Sequence, residues 1–302
     1  MNAILNAFTV DVEDYYQVTA FEKHIPRERW GEYPSRVERN TQRMLDLLDR
    51  HQVRATFFIL GWIAERFPQM VREIRTRGHE IACHGYWHQL IYNQTPEEFH
   101  ADLRKSIRAI EDAANVRPTA YRAASFSITN ITRWAHAILI EEGFTIDSSV
   151  FPIYHDRYGI PNAPRHPYRV STSAGSLVEF PPAVLRMCRV NIPISGGGYF
   201  RLYPLRWTSF CLRWFNRSTR KPFMFYVHPW EIDPDQPRIH AASRRSKFRH
   251  YVNLASTDRK LDALLTRFRF GTLSDAVLSE LPETTQPAAP SRRRSPTTPQ
   301  VV

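Results

Sequence analysis

Two kinds of hydrophobic pattern alternate along this chain. Short runs rich in β-branched and aromatic residues predict buried strands, and segments whose apolar residues recur every three or four positions predict amphipathic helices. Seven strands are predicted, at residues 4–10, 55–60, 79–83, 119–122, 145–148, 176–180 and 223–227. Because strands that alternate with helices form parallel sheets, the pattern predicts an α/β fold, with about seven strand–helix units in a barrel.

Two of the predicted helices have recognisable ends. The helix after Thr95 begins with Pro96, Glu97 and Glu98, which supply a first-turn proline and a capping-box glutamate. Another helical run ends at Gly143, a plausible C-cap residue. These signals predict where the two helices are placed between strands.

The length of 302 residues is compatible with one large domain, which we place at 1–283. Between 154 and 220 the periodicity weakens and proline and glycine accumulate, so we expect an elaborated loop region around the barrel mouth. Residues 229–283 are interpreted as a C-terminal extension of the barrel, with a loop to about residue 257 and then an amphipathic helix. The basic segment 284–302 is predicted to be a disordered tail.

Charge is unevenly distributed along the chain. The net charge of +11 combines −2 for residues 1–160 with +13 for the remainder. A basic half can meet an anionic membrane surface or simply form a solvated face, and no nucleic-acid-binding motif accompanies it, so no nucleic-acid partner is expected. Three scattered cysteines do not suggest a disulfide framework, and no leader-like pattern precedes the first predicted strand. We therefore expect a cytoplasmic protein, with peripheral contact at the inner membrane face as an option. The oligomeric state is left open.

Acidic residues follow the first predicted strand. Asp11, Glu13 and Asp14 lie within four positions, at the end of a strand, where active sites of parallel α/β folds assemble. Closely spaced carboxylates repel one another, and a bound cation relieves that repulsion. An acidic helix N-terminus is the alternative interpretation of this cluster.

Histidines follow the third predicted strand. His84 and His88 are four positions apart and could share one metal ion if the segment is helical. A pair of unrelated histidines is the alternative. Arg122, Asp147 and His228 likewise lie at the ends of predicted strands, and this common placement at one rim favours a functional site over isolated surface residues.

The ordered set of these motifs resembles the NodB-homology polysaccharide deacetylases, carbohydrate esterase family 4. The resemblance extends over residues 4–275, and the closer similarity is to the branch associated with exopolysaccharide and exosortase loci. The runs that carry it include DVEDYYQV, RATFFILGW, GHEIACHGYWH, SGGGYFRLYP, YVHPWEIDPDQPR and FRHYVNL.

The resemblance implies a distorted (β/α)7 barrel with one divalent ion, zinc before cobalt, nickel or manganese. It implies Asp14, His84 and His88 as metal ligands. Glu13 is the alternative to Asp14, because Glu13 lies two residues from Asp11 and residues two apart on a strand share a face. The catalytic residues that it implies are Asp11 as general base, Arg122 as its partner, His228 as general acid, and Asp147. Residues considered for substrate binding are Ser125, Tyr15, Trp87 and Trp230, although core packing is an equal option for the aromatic ones.

The implied activity is hydrolysis of N-acetyl, or less readily O-acetyl, groups on a hexosamine-containing polysaccharide or its lipid-linked precursor. Two alternatives stay open. Barrels of this type also hydrolyse small cyclic ureides or imides, and fold alone does not decide the substrate. A non-catalytic polysaccharide-binding protein is the other. Ala124 and Val150 occupy positions where the family usually has proline and tryptophan, which bears on the fit of the substrate.

Overall fold

The computed structural model describes residues 4–280. Each of the seven predicted strands overlaps an observed one, and the predicted α/β class is confirmed. The strands are β1 (Leu5–Val12), β2 (Thr56–Ile59), β3 (Glu80–Cys83), β4 (Ala120–Tyr121), β5 (Ile146–Asp147), β6 (Tyr168–Thr172), β7 (Gly175–Glu179), β8 (Val184–Met187), β9 (Val190–Pro193), β10 (Met224–Val227) and β11 (Arg269–Gly271).

Most of the strands form one curled parallel sheet. Its order is β10-β1-β2-β3-β4-β5-β7-β6, with β11 also paired to β1. Only β6 is antiparallel to its neighbour within this sheet. An isolated bridge between Pro182 and Met224 connects the segment after β7 with β10. The sheet therefore curls so far that its two ends approach each other, as in a barrel that is short of a full set of eight units.

Helices cover the outside of the sheet. They are α1 (Val37–Arg50), α2 (Gly61–Arg66), α3 (Pro68–Thr76), α4 (Pro96–Ala114), α5 (Ala135–Glu141), α6 (Gly197–Leu202), α7 (Leu205–Thr219), α8 (Arg244–Tyr251), α9 (Leu254–Leu265) and α10 (Leu273–Glu280). The predicted capping box is confirmed at the start of α4, where Thr95 and Glu98 bond to each other's backbone N–H groups. Gly143 follows α5 with φ +87°, a conformation that glycine adopts without strain.

The region 154–220 is more ordered than its weak periodicity predicts. It contains β6, β7, the β8–β9 hairpin, α6 and α7. The hairpin strands are half-exposed on both faces, so no alternation of apolar and polar residues marks them. The predicted loop up to residue 257 is wrong as well, because it contains α8. That helix buries only His250 and therefore has no apolar stripe to reveal it.

The tail at 284–302 and the last residues of the predicted domain lie outside the described residues. Within residues 4–280, no helix combines the length and apolar character that crossing a membrane requires.

One buried histidine makes the stability of the fold depend on pH. His79 Nδ1 accepts a hydrogen bond from the Ala55 N–H at 3.1 Å, and burial lowers the pKa of His79 to about 4. Because the folded-state pKa lies below the unfolded value of about 6.5, protons favour the unfolded chain. The stability from neutral His79 is complete above pH ~6.5 and is lost as the pH falls toward 4, by at most about 3 kcal/mol.

His79→Gln removes this titration while retaining an acceptor for the Ala55 N–H. We expect the midpoint of urea unfolding to fall less steeply between pH 6.5 and 4 in the variant than in the wild type. The exposed His24→Gln variant is the control and should follow the wild type. Parallel curves for wild type and His79→Gln would contradict the assignment.

Candidate active site

The carboxyl ends of the central parallel strands meet around one pocket. Its volume is about 550 Å³, and its lining includes Asp11, Glu13, His84, His88 and His228. Asp11 lies near the end of β1, and the others follow the ends of β1, β3 and β10. Because parallel strands end on the same side of a sheet, residues far apart in sequence converge here.

A carboxylate and two imidazoles form the centre of the pocket. Ligand atoms of Glu13, His84 and His88 all lie within 4.8 Å of one another, and Glu13 Oε2 is 3.0 Å from His88 Nε2. His84 Nδ1 is 2.7 Å from the Arg122 carbonyl oxygen. Since a carbonyl can only accept, Nδ1 carries the proton and Nε2 keeps a free lone pair. The three residues can therefore hold one divalent ion.

The two histidines meet in a turn, and the helix considered for this segment is absent. Gly85 has φ +75° and His88 has φ +50°, so the chain bends sharply between the strand and the second histidine. Asp102 on α4 accepts hydrogen bonds from the Tyr86 and Trp87 N–H groups at 2.8 and 3.2 Å. This carboxylate fixes the turn that brings the two imidazoles together.

Asp14 lies apart from this centre, which corrects the metal ligand set. Its Oδ2 accepts hydrogen bonds from the Ser35 hydroxyl at 2.7 Å and from the Arg36 N–H at 2.8 Å, and its Oδ1 accepts one from the Tyr15 N–H at 2.9 Å. These bonds place the carboxylate beside the N-terminus of α1. Asp11 and Glu13 are two residues apart and share a face, whereas Asp14 points the other way. Glu13, the alternative, is the carboxylate beside the histidines.

Arg122 holds Asp11 from inside the barrel. Both side chains are buried, and Arg122 Nη1 donates to Asp11 Oδ1. The same nitrogen donates to Thr9 Oγ1 at 2.9 Å, and Nη2 donates to Ser148 Oγ at 3.0 Å. The guanidinium also lies 4.0 Å above the Phe58 ring centre. One oxygen of Asp11 is thereby fixed, and Asp11 Oδ2 faces the pocket.

His228 lies across the pocket from Asp11. Its Nε2 is 3.8 Å from Asp11 Oδ2 and 3.4 Å from Glu13 Oε1, and its Nδ1 is 3.6 Å from Glu231 Oε2. Burial lowers the pKa of His228, but the negative charges of Glu231 and Glu13 outweigh it and raise that pKa to about 9. Burial raises the pKa of Glu13, but His88 and His228 lower it to about 2.

Arg201, Glu231 and His250 also line the pocket, and the sequence interpretation did not assign these three residues to the site. Glu231 forms a buried ion pair with Arg201 Nε at 3.0 Å. Trp230 donates from Nε1 to Glu13 Oε1 at 3.2 Å, and its ring stacks on His228 and on His250 with centroids 5.1 and 4.2 Å away. Arg201 lies in the run SGGGYFRLYP and Glu231 in the run YVHPWEIDPDQPR, both of which carry the family resemblance, but no local pattern identified the two residues as partners.

Ser125 and Trp230, two of the residues considered for substrate binding, line the pocket. Ser125 adopts φ +50° and its Oγ lies 2.8 Å from Thr19 Oγ1. Trp230 is only 5% exposed. Its indole N–H is directed at Glu13, so its main contact in the pocket is with the carboxylate and the two histidine rings.

Three predicted site residues do not reach the pocket. Asp147 accepts a hydrogen bond from Ser149 Oγ and lies 3.3 Å from His136 Nε2, in a separate buried cluster with Glu179. Tyr15 is fully buried in the core against Tyr16. Trp87 packs against Trp30. Asp147 therefore lies outside the pocket to which it was assigned, and Tyr15 and Trp87 pack with the hydrophobic core.

Comparison with known families accounts for most of the chain in two parts. The family model described as polysaccharide deacetylase matches residues 31–139, and a second model, described as a domain of unknown function (DUF3473), matches residues 148–278. The segment 31–139 is thus similar to polysaccharide deacetylases. Asp11, Glu13 and His228 line the pocket but lie outside the 31–139 match, so segments on both sides of that match contribute to the pocket.

Relatives and solved structures agree with this assignment. Peptidoglycan deacetylase of Helicobacter pylori is 32% identical over 121 residues, which are 39% of this chain and 40% of that protein. Peptidoglycan-N-acetylglucosamine deacetylase of Bacillus cereus is 34% identical over 96 residues, 32% of this chain and 35% of that protein. The alignments thus span about two fifths or less of these relatives.

A solved structure from Mycobacterium smegmatis, to which a polysaccharide deacetylase function has been attributed, superposes with a TM-score of 0.60. It covers 99% of this chain and 95% of that chain at 22% identity. At this level of identity the likeness concerns the fold alone, and it agrees with the curled parallel sheet of this chain.

The corrected ligand set leads to a direct comparison of two carboxylate-to-amide variants. We expect Glu13→Gln to weaken zinc binding by more than the roughly 10–100-fold that outer-shell changes cost, because it removes a ligand. Asp14→Asn should retain zinc affinity within a few-fold and lower the melting temperature, since it weakens the contacts at the start of α1. Calorimetric zinc titration and thermal unfolding of both variants provide the measurement. The reverse pattern would restore Asp14 as the ligand.

Proposed function

We propose that this protein removes acetyl groups from amino sugars of a glycan in a metal-dependent reaction. The observation that carries the proposal is the meeting of two sets of residues in one pocket. Glu13, His84 and His88 form a candidate metal centre, and Asp11 and His228 line the same pocket with Asp11 Oδ2 3.8 Å from His228 Nε2. General base, general acid and metal are the three elements that amide hydrolysis requires.

The residues present fit a catalytic divalent ion. One carboxylate and two imidazoles leave coordination positions open, as catalytic zinc sites require. Glu13 Oε2 is buried and has no hydrogen-bond partner among the described residues, which is the state of an oxygen available to a cation. Zinc suits this donor set best, and cobalt, nickel or manganese are alternatives. When bound, such an ion polarises the acetyl carbonyl and lowers the pKa of water from 15.7 toward about 7.

Asp11 and His228 would carry the protons. Asp11 accepts the proton of the attacking water through Oδ2, because Arg122 already occupies Oδ1. His228 then donates a proton to the leaving amine, so that the C–N bond breaks to give acetate and a free amino sugar. Glu231 and Arg201 hold His228 in place from behind.

The rim of the pocket supports a glycan substrate over a small cyclic ureide or imide. Leu202 and Phe248 are 49% and 60% exposed, and the exposed residues Arg157, Arg245 and Arg249 also line the pocket. A site that opens to solvent through such a wide rim suits a chain of sugars, and a small ring would be enclosed more fully. The arginines would attract an anionic group of the substrate.

The names of the relatives support N-acetyl over O-acetyl substrates, since both act on peptidoglycan and one is named for N-acetylglucosamine. We infer further that the natural substrate is a precursor or product of exopolysaccharide synthesis, handled in the cytoplasm. A lipid-linked precursor would supply an anionic group for the arginine rim.

Acetate release from chitooligosaccharides by the zinc-loaded protein tests the proposal. Asp11→Asn should lower kcat by about 10²–10⁴-fold, the range for loss of a general base, and a chelator should abolish the activity reversibly. Asp112→Asn, an exposed carboxylate on α4 far from the pocket lining, is the matched control and should keep full activity.

Other outcomes separate the alternatives. Zinc binding without acetate release, together with hydrolysis of a cyclic imide, would favour the amidohydrolase alternative. Saturable binding of the oligosaccharide without any hydrolysis, unchanged by Asp11→Asn, would support a non-catalytic binding protein. Absence of zinc binding altogether would refute the proposed mechanism.

A further inference from the structure

Helix α7 exposes a row of aromatic side chains to solvent. Trp207, Phe210 and Trp214 are 39%, 57% and 54% exposed, and they follow one another at spacings of three and four residues, on one side of the helix. The opposite side already packs into the protein through Cys211, Leu212 and Phe215. The exposed row is thus a second apolar stripe that residues 4–280 leave uncovered.

Arginines flank this stripe. Arg206, Arg213 and Arg217 of α7 and Arg267 line a surface depression of about 550 Å³ together with Phe210 and Trp214. Among residues 4–280, none of these four arginines forms an ion pair with a carboxylate. Residues 180–230 contain eight Lys and Arg and no Asp or Glu. We call this surface, made of the three aromatic residues and Arg206, Arg213 and Arg217, the α7 face.

We propose that the α7 face binds the surface of an anionic phospholipid bilayer. Helices that lie in a membrane interface combine Trp and Phe, which enter the headgroup region, with Lys and Arg, which contact lipid phosphates. Arginine suits phosphate contact because its guanidinium presents several donors in one plane. The 15-residue helix is about 22 Å long at 1.5 Å per residue, so the aromatic row lies along the bilayer plane without crossing it.

The charge of the α7 face disfavours pairing with a second copy of the chain. A twofold interface places the same patch of both subunits face to face, which would bring the unpaired arginines of the two copies together. An anionic bilayer instead supplies many phosphates to all of them at once.

The topology places the first residues of this face, Arg206 and Trp207, on the pocket side of the protein. β10 begins at Met224, five residues after α7 ends, and its carboxyl end leads to His228 in the pocket. The end of α7 therefore lies on the side opposite the pocket, and its start lies on the pocket side. Leu202, three residues before α7, lines the pocket itself. A membrane-bound protein would thus have its pocket near the headgroups, within reach of a lipid-linked glycan. That consequence rests on the proposed function, whereas the membrane contact does not.

Sedimentation of the full chain with vesicles tests the proposal. We expect binding to vesicles of phosphatidylcholine mixed with phosphatidylglycerol and little binding to phosphatidylcholine alone. Each basic residue near an anionic surface strengthens partitioning about fivefold, so Arg206→Gln/Arg213→Gln/Arg217→Gln should weaken it by roughly 100-fold. Phe210→Ala/Trp214→Ala should weaken it by at least about tenfold, because buried aromatic area is lost. High salt should weaken the binding of wild type.

A matched variant controls for net charge. Arg104→Gln/Arg108→Gln/Arg133→Gln removes three exposed arginines that line neither the candidate active site nor the depression beside α7. This variant should bind vesicles nearly as wild type does. No binding of wild type to anionic vesicles would overturn the proposal. An equal loss of vesicle binding in the α7 triple arginine variant and in this control variant would overturn it as well. Self-association without lipid that the aromatic variant abolishes would reassign the surface to a dimer. Acetate release from soluble oligosaccharides, measured in parallel, should be unchanged in all these variants, which separates this test from that of the proposed function.

Discussion

The ion pair between Arg122 and Asp11 connects the barrel to the pocket. A buried guanidinium costs several kcal/mol in desolvation unless its N–H groups are satisfied. Here the acceptors come from different strands: Asp11 and Thr9 on β1, and the Ser148 hydroxyl and carbonyl just after β5. The sheet must therefore curl fully before the N–H groups of Arg122 reach all of these acceptors. Closure of the barrel and orientation of Asp11 thus depend on each other.

The same residue also orients a histidine. The backbone carbonyl of Arg122 accepts the Nδ1 proton of His84, which directs the other ring nitrogen toward Glu13 and His88. A single position at the end of β4 thus aligns both the candidate base and a candidate metal ligand. Such outer contacts commonly fix the tautomer and ring orientation of metal-binding histidines.

Much of this arrangement was visible in the sequence because it depends on strand ends. Apolar runs located the seven strands, and the polar residues directly after them identified Asp11, His84, Arg122 and His228. The choice between Glu13 and Asp14 could not be made that way. It depends on where β1 stops and which way the next residues face, and the hydrogen bonds of Asp14 to Ser35 and Arg36 involve a distant segment.

The wrong assignments have a related cause. Tyr15, Trp87 and Asp147 are adjacent in sequence to the right strands or motifs, but successive side chains along extended backbone point to opposite sides. Their actual partners, such as His136 for Asp147, come from elements whose packing no local pattern encodes. The same limitation hid α7 and α8, because exposed aromatic residues and a run of basic ones obscure the apolar stripe from which helices are predicted.

The two halves of the chain contribute different things to the pocket. Asp11, Glu13, His84 and His88 come from the half with a net charge of −2, which concentrates the carboxylates and imidazoles suited to a cation. His228, the arginine rim and the α7 face come mostly from the half with a net charge of +13. A cation deep in the pocket requires carboxylates and imidazoles around it, whereas anionic groups at the rim require arginines. The two kinds of residue must therefore lie in separate parts of the pocket. Under the two proposals made above, the strong asymmetry of charge along the sequence separates the chemistry of the pocket from the capture of an anionic glycan or lipid.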